Sequence, residues 1–340
     1  MQHGVDAWNQ WRQQTSTPAI SQSAQSPPRI NLREARLRQA QLPAIDLSAV
    51  DCCMADLRYA DLRHSNLREA LLYTADLSYA NLQGAVLTGA DLREALLHDA
   101  DLVGATLNAA VLTNADLTRT KLREANLLQA DLRQASMNQT DACMAQFREA
   151  NLSGADLRGA LLYTTDLSKA QMKGTVLNQA DLREATLAMA NLQDAVLHEA
   201  NLTAVVGSVT NLIGTAFHKA TLDIANFSLA NLCMANLSSA RLRGTILIGA
   251  NLIGANLHRA KLQGANLETA DLREAILRQA DLRQTNLRYT NLRMAHLAEA
   301  DLRGADLRGA DLTHANLWGT QLEGACLVDA TMPNGSIHNP

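Results

Sequence analysis

Residues 250–267 read ANLIGANLHRAKLQGANL, and the stretch divides into fives. Asn251, Asn256, Lys261 and Asn266 open successive fives; each is followed by Leu, two variable residues and Ala. Working outward, the same frame holds from Ile30 to Met332 without insertion or deletion. Of 61 central positions between Leu32 and Met332, 52 are Leu. The exceptions are Cys52, Met137, Ala142, Phe147, Met172, Gly207, Phe217, Phe227 and Met332.

A period of five fits neither the helical repeat of about 3.6 nor the strand repeat of about 2. Within each repeat, however, Ala and Leu stand two apart, and extended backbone puts such residues on one face. The Ala-Asp/Asn-Leu piece therefore points Ala and Leu inward and Asp or Asn outward. The next two residues turn the chain, and turn-forming Asp, Asn, Gly and Ser are abundant around them. One repeat cannot bury its Leu alone, so successive turns must stack into a continuous core. This predicts an all-β solenoid. The spacing leaves open how many repeats close one coil.

Blocks such as ADLREALLHDADL (90–102) and ANLIGANLHRAKLQGANL resemble the pentapeptide-repeat family, whose consensus is Ala-(Asp/Asn)-Leu-x-x. The resemblance covers residues 30–332 and implies a right-handed quadrilateral β-helix with four repeats per coil. It further implies about 15 coils and a rod of about 70 Å at ordinary strand spacing.

A longer period lies on top. DCCMADLRYADL at 51, DACMAQFREANL at 141 and NLCMANLSSARL at 231 mark three diverged blocks, 51–140, 141–230 and 231–320. Duplication explains them. A thiol site shared by Cys53, Cys143 and Cys233 does not, because the expected separation of roughly 20 Å is too long to bridge.

Residues 1–29 form a separate tail. VDAWNQWRQQ (5–14) predicts a short helix with Trp8 and Trp11 on one face, and TSTPAISQSAQSPPR (15–29) predicts a disordered linker. Trp8 is expected to cover the open first coil; a docking peptide is the alternative. The tail 333–340 follows Met332, with Pro333 and Gly335 stopping the repeat. No capping helix is expected there, which leaves the last coil bare for a homodimer contact. Inside the repeat, Phe227 is expected to fill the volume missing at Gly207, and Phe147 to accompany the small Ala142.

Composition narrows the function. Aromatic residues are 3% of the chain against 47% hydrophobic, so Leu and Ala must fill a uniform, narrow core. A net charge of -4 does not fit a strongly basic nucleic-acid binder. The odd count of five cysteines and the lack of a signal-like or membrane-spanning stretch predict a cytoplasmic protein. No nucleophile elbow, phosphate loop, dinucleotide fingerprint or HExxH is present, and an uninterrupted convex coil offers no concave site. The expectation is a non-enzyme without cofactor.

Charge is uneven. Residues 201–265 carry Asp223 against Lys219, Arg241, Arg243, Arg259 and Lys261. Residues 71–120 carry Asp76, Asp91, Glu94, Asp99, Asp101 and Asp116 against Arg93 and Arg119. Folded at twenty residues per coil, His198, His218, Lys219, Arg241, Arg243, His258, Arg259 and Lys261 gather on or beside one corner. Val206, Val209, Ile213, Leu229, Met234, Ile246, Ile248 and Ile253 face outward on the opposite side; a contiguous apolar patch often marks a contact surface, the alternative being that β-branched residues simply suit strand faces. His198 and His218 are expected to stack about 4.8 Å apart beside Glu199, but no third metal ligand follows. Arg273, Arg278, Arg283, Arg288 and Arg293 form a charged ring with local acidic partners. The leading function is a protein–protein interaction scaffold. A gyrase modulator that mimics DNA, as some family members are, and a plain structural spacer are the alternatives. The resemblance also points towards cyanobacteria, where the family is abundant.

Overall fold

The structure, a computed structural model, describes residues 4–15 and 29–339. It consists of two compact units, Met1–Asp156 and Leu157–Pro340. The division falls inside the 141–230 block.

Both units are built from the same five-residue step. In the first unit, parallel pairing joins residues twenty apart, as in Asn31 with Asp51 and Asp61 with Asn81. Twenty residues is four repeats, so each unit is a four-sided β-helix, and the expected quadrilateral fold is present. Away from the terminal coils the side chains at the second and fifth positions are buried, and Leu and Ala there are almost completely covered.

Every backbone N–H of a typical repeat has an acceptor, which explains the consensus. Asn81 N–H donates to Ala60 in the preceding coil at 2.9 Å. Leu82 and Gly84 donate to Asp101 and Val103 in the following coil at 2.7 and 3.0 Å. Ala85 donates back across the turn to Leu82 at 3.0 Å. The remaining donor, Gln83 N–H, is taken by the Asn81 side-chain oxygen at 3.2 Å. The second unit repeats this at Asn251–Ala255, where Ile253 N–H donates to Asn251 Oδ1 at 3.1 Å. Asp and Asn both present that acceptor, which is why they interchange at the first position.

The turn has a cost that the sequence conceals. The fourth residue of every repeat from Glu34 to Asp329 has φ between 53° and 71°. Together with the bond from the fifth residue to the second, this defines a type II turn. Glycine suits that conformation, yet β-branched Val209 and Ile224 occupy it at φ 59° and 53°. Left-handed backbone costs roughly 1–2 kcal/mol for such residues. The ladder overrides it: Val209 and Ile224 N–H groups are bonded to the following coil at 3.0 and 2.8 Å.

Where Thr replaces Ala at the fifth position, its buried hydroxyl finds a carbonyl. Thr120 donates to Leu97 O at 2.8 Å, and Thr215 to Leu192 O at 2.8 Å. At the weakest core position, a Cβ built on Gly207 would overlap the Phe227 ring, so the aromatic side chain occupies that volume. Phe147 and Ala142 are both fully buried.

Each unit ends in a cover. In the first, helix α1, Gly4–Thr15, lies against the first coil. Trp8 Nε1 donates to Asp46 O at 2.7 Å, Asn9 Nδ2 to Ala44 O at 2.9 Å, and Asp46 N–H to Asn9 Oδ1 at 2.8 Å. These bonds stand in for the coil that is missing beneath residues 44–48, as expected of Trp8. Residues 16–28 of the expected linker lie outside the described residues. In the second unit the tail covers one side of the last coil and leaves the other three open, so the expected bare coil is found in part. The tail folds back and pairs Ile337 antiparallel with Thr331. Met332 N–H reaches Ser336 O at 2.7 Å, and His338 N–H reaches Ala330 O at 2.8 Å. Pro333 and Gly335 thus end the repeat by a reversal of the chain and not by a simple stop.

Candidate interaction surfaces

Side chains at the first, third and fourth positions point outward and form columns twenty residues apart. In the second unit one corner carries residues 188–189, 208–209, 228–229 and 248–249, with Thr186, Val206, Asn226 and Ile246 opening the adjoining side. No ionisable residue occurs in these four steps. Val209 is 54% exposed and Leu229 64%, and Val206 and Ile248 are also exposed. Met189 joins the same column at 58%, a residue that reading by charge missed because it lies before the acid-poor stretch. Ile246 is half-buried.

The remaining apolar candidates do not share that corner. Ile213, Met234 and Ile253 lie on the next one, where Met234 is exposed and Ile213 and Ile253 are half-buried. Exposed Ile224, also missed, sits on the other neighbouring corner. The apolar set thus divides instead of forming one opposite side. Glycines form shelves beneath it: a Cβ at Gly249 would meet Leu229 Cδ2 at 2.8 Å, and one at Gly254 would meet Met234 Sδ at 2.6 Å.

The basic candidates are only partly free. His198, His218, Lys219, His258 and Arg259 share the corner diagonal to Leu229, and Arg241 and Lys261 open the side that follows it. Arg243 belongs to the next corner. Arg241 is neutralised by Asp223 at 2.6 Å. Asp223 also accepts the Arg243 backbone N–H at 2.9 Å. Arg243 and Arg259 bind Gln263 and Gln279 at 3.0 and 2.8 Å. Among the described residues, Lys219, Arg243, Arg259 and Lys261 make no ion pair.

The histidines do not stack face to face. The His198 and His218 rings meet edge-on, with centroids 6.1 Å apart and planes at 73°, which corrects the expected 4.8 Å spacing. His218 Nδ1 lies 2.9 Å from Ser238 Oγ. His258 Nδ1 donates to Arg278 O at 2.9 Å, which fixes its tautomer because a carbonyl only accepts. No cluster of three metal-ligating side chains occurs among the described residues.

The expected local pairing of the arginine ring is present in part. Arg273 and Arg283 bind Asp271 and Asp281 at 2.7 Å, and Arg293 binds Asp311 at 3.4 Å. Arg288 lies over the Tyr289 ring at 5.4 Å. In the first unit the acidic stretch is also paired in part: Asp91 with Arg93, Asp99 with Arg119 and Asp101 with Lys121. A stacked pair, Tyr59 and Tyr79, stands 4.9 Å apart with planes at 4°, and Arg38 covers Tyr59 at 5.4 Å. Twenty-residue spacing would have found that pair. The duplication leaves a mark as well: Arg93 lies over Tyr73 at 5.7 Å, and Arg183 over Tyr163 at 5.6 Å.

These coils of five-residue steps, closed every four repeats around stacked Leu and Ala, define a β-solenoid protein. The family model described as pentapeptide repeats in eight copies matches residues 30–139, 144–205 and 210–329, and the chain belongs to that family. The two interior gaps fall on Ala142 and Gly207, where the central Leu is lost. No curated protein sequence matches. Among solved structures, the chain is similar to HetL, a pentapeptide repeat protein involved in heterocyst differentiation regulation in the cyanobacterium Nostoc sp. strain PCC 7120. The identity is 33% over 81% of this chain and 92% of HetL, with a TM-score of 0.23. A pentapeptide repeat protein of the Arabidopsis thaliana thylakoid lumen is 34% identical over 27% of this chain and 61% of its own, with a TM-score of 0.16. QnrB1, a plasmid-mediated fluoroquinolone resistance protein, is 19% identical over 65% of this chain and 88% of its own, with a TM-score of 0.23.

Proposed function

We propose that the chain is a non-enzymatic scaffold that docks a protein partner on the corner formed by Met189, Val206, Val209, Leu229 and Ile248. The observation that supports this is four successive coils at one corner with exposed apolar side chains and no charge. Scattered exposed apolar residues are ordinary, but a contiguous column is a contact surface. Leu229 over Gly249 leaves the column with a stepped relief that a partner's apolar side chains can enter. The unpaired cations Lys219, Arg259 and Lys261 lie on the diagonal corner and serve a second, acidic contact. The family is generally one of structural and interaction proteins.

The reading includes a cytoplasmic location, supported by the odd number of thiols. No helix among the described residues is long and apolar enough to cross a membrane. The DNA-mimic alternative needs an uncompensated acidic face, and the pairing of Asp91, Asp99 and Asp101 weighs against it. Affinity capture compares the wild-type chain, Val209→Asp/Leu229→Asp and Lys219→Glu/Lys261→Glu. The reading requires a partner retained by the wild type and lost from the first variant. Identical capture by all three removes it, and inhibition of gyrase supercoiling at micromolar protein would support the mimic instead.

A further inference from the structure

The two terminal coils carry complementary open edges. On the last coil, Leu317, Gly319, Leu322, Gly324 and Leu327 N–H groups have no acceptor among the described residues, although their counterparts in the preceding coil, Leu297, Glu299, Leu302, Gly304 and Leu307, all do at 2.8–3.0 Å. The carbonyls of Ala315, Thr320 and Ala325 are likewise unused. On the first coil the pattern is reversed. Among the described residues, the carbonyls of Asn31, Arg33, Arg36, Arg38 and Gln41 accept nothing, and the N–H groups of Asn31, Arg36 and Gln41 donate to nothing. The side chains behind these edges are half-buried at Leu317, Leu322 and Leu327 on one, and at Leu32 and Leu37 on the other. The fourth side of each coil is already closed, by α1 over residues 44–48 and by the pairing of Ile337 with Thr331.

We infer that these edges are an interface between copies of this chain, joined head to tail and gated by α1. The interior rule, in which the second and fourth N–H groups donate to the first and third carbonyls of the next coil, sets one register. Leu317 and Gly319 of one copy donate to Asn31 and Arg33 of the other, Leu322 and Gly324 to Arg36 and Arg38, and Leu327 to Gln41. In return Asn31, Arg36 and Gln41 donate to Ala315, Thr320 and Ala325. This register sets three open sides on three open sides, and the two closed sides face each other. Coils stack about 4.8 Å apart, whereas a helix with its side chains is about 10–12 Å across. Docking therefore requires α1 to leave the first coil. α1 is held there by side-chain bonds from Trp8, Asn9 and Arg12, Arg12 also meeting Ser48 Oγ at 3.0 Å and Asp46 at 3.5 Å. An exposed strand edge is a template for another chain, and a contact of this kind is heterologous, the last coil of one copy meeting the first coil of the next.

Sedimentation velocity of the full chain over a concentration series tests this. The wild type is expected to stay monomeric. Trp8→Ala/Asn9→Ala/Arg12→Ala is expected to grow past the dimer as concentration rises. Adding Arg36→Pro, which removes an unused donor and blocks the edge, is expected to return it to monomer. If the triple variant loses its β circular dichroism, Arg12→Ala alone replaces it. A released chain that remains monomeric, stops at a tail-to-tail dimer, or assembles regardless of Arg36→Pro overturns the inference.

Discussion

The ring of Phe227 occupies the space that a side chain at Gly207, one coil earlier, would need. Phe227 is fully buried, so the ring restores volume that the repeat loses at its shortest central residue. Phe227→Ala is expected to destabilise by about 3–5 kcal/mol, because it leaves a cavity beside a glycine. Gly207→Leu is expected to cost at least about 1–3 kcal/mol through overpacking. The double variant Gly207→Leu/Phe227→Leu restores the consensus and is expected to lose far less than the sum. Chemical denaturation of the wild type, Gly207→Leu, Phe227→Leu and the double variant measures this coupling.

The first-position acceptor gives a second test. Asp301 accepts the Arg303 N–H at 3.2 Å and pairs with its guanidinium at 2.6 Å. Asp301→Asn keeps the backbone bond and loses only the largely exposed ion pairs with Arg303 and, at 3.5 Å, Arg283, so the loss is expected to be about 1 kcal/mol or less. Asp301→Ala loses both and is expected to cost about 0.5–1.5 kcal/mol more. Equal melting temperatures for the two variants would contradict the role given to the acceptor.

Acid stability follows from the same pairs. The Arg58 guanidinium bonded to Asp56 holds that carboxyl down to about 2. Arg63, Arg93, Arg133, Arg183, Arg303 and Arg308 lower Asp61, Asp91, Asp131, Asp181, Asp301 and Asp306 in the same way. A folded pKa below the unfolded one contributes stability at pH above about 4, and that stability is lost as pH falls towards about 2. Denaturation midpoints are therefore expected to be flat from pH 7 to 5 and to drop below pH 4. Added salt should shrink the drop, since these pairs are largely exposed.

Thiol reactivity reports the core. Cys52 is fully buried, and burial pushes its thiol up to about 12. Cys53 and Cys143 are buried as well, whereas Cys233 and Cys326 are partly exposed. A thiol-labelling reagent followed by mass spectrometry is expected to modify Cys233 and Cys326 in the native protein, and Cys52 only on unfolding.

Much of this was legible from the repeat. Alternation of Ala and Leu inside a five-residue step fixed which side chains enter the core, and an uninterrupted frame located Gly207 as the lapse that Phe227 fills. The helix around Trp8 and Trp11 was legible from its spacing. The coil length was not, because spacing alone does not say how many turns close a circuit; the family resemblance supplied it. The left-handed turns were hidden because the ladder holds Val209 and Ile224 in a conformation their own preferences oppose. Neutralisation of Arg241 was hidden because Asp223 lies eighteen residues earlier, in a neighbouring column. The reversal of the tail onto Thr331 depends on an unpaired coil edge, which no local pattern announces.

The most direct test of the proposed contact surface is photo-crosslinking in native cells, with a photoreactive amino acid in place of Leu229 and, separately, of exposed Leu96 in the first unit. The account predicts a discrete adduct from position 229, abolished by Val209→Asp, and none from position 96. No adduct at 229, or the same adduct from both positions, would contradict it.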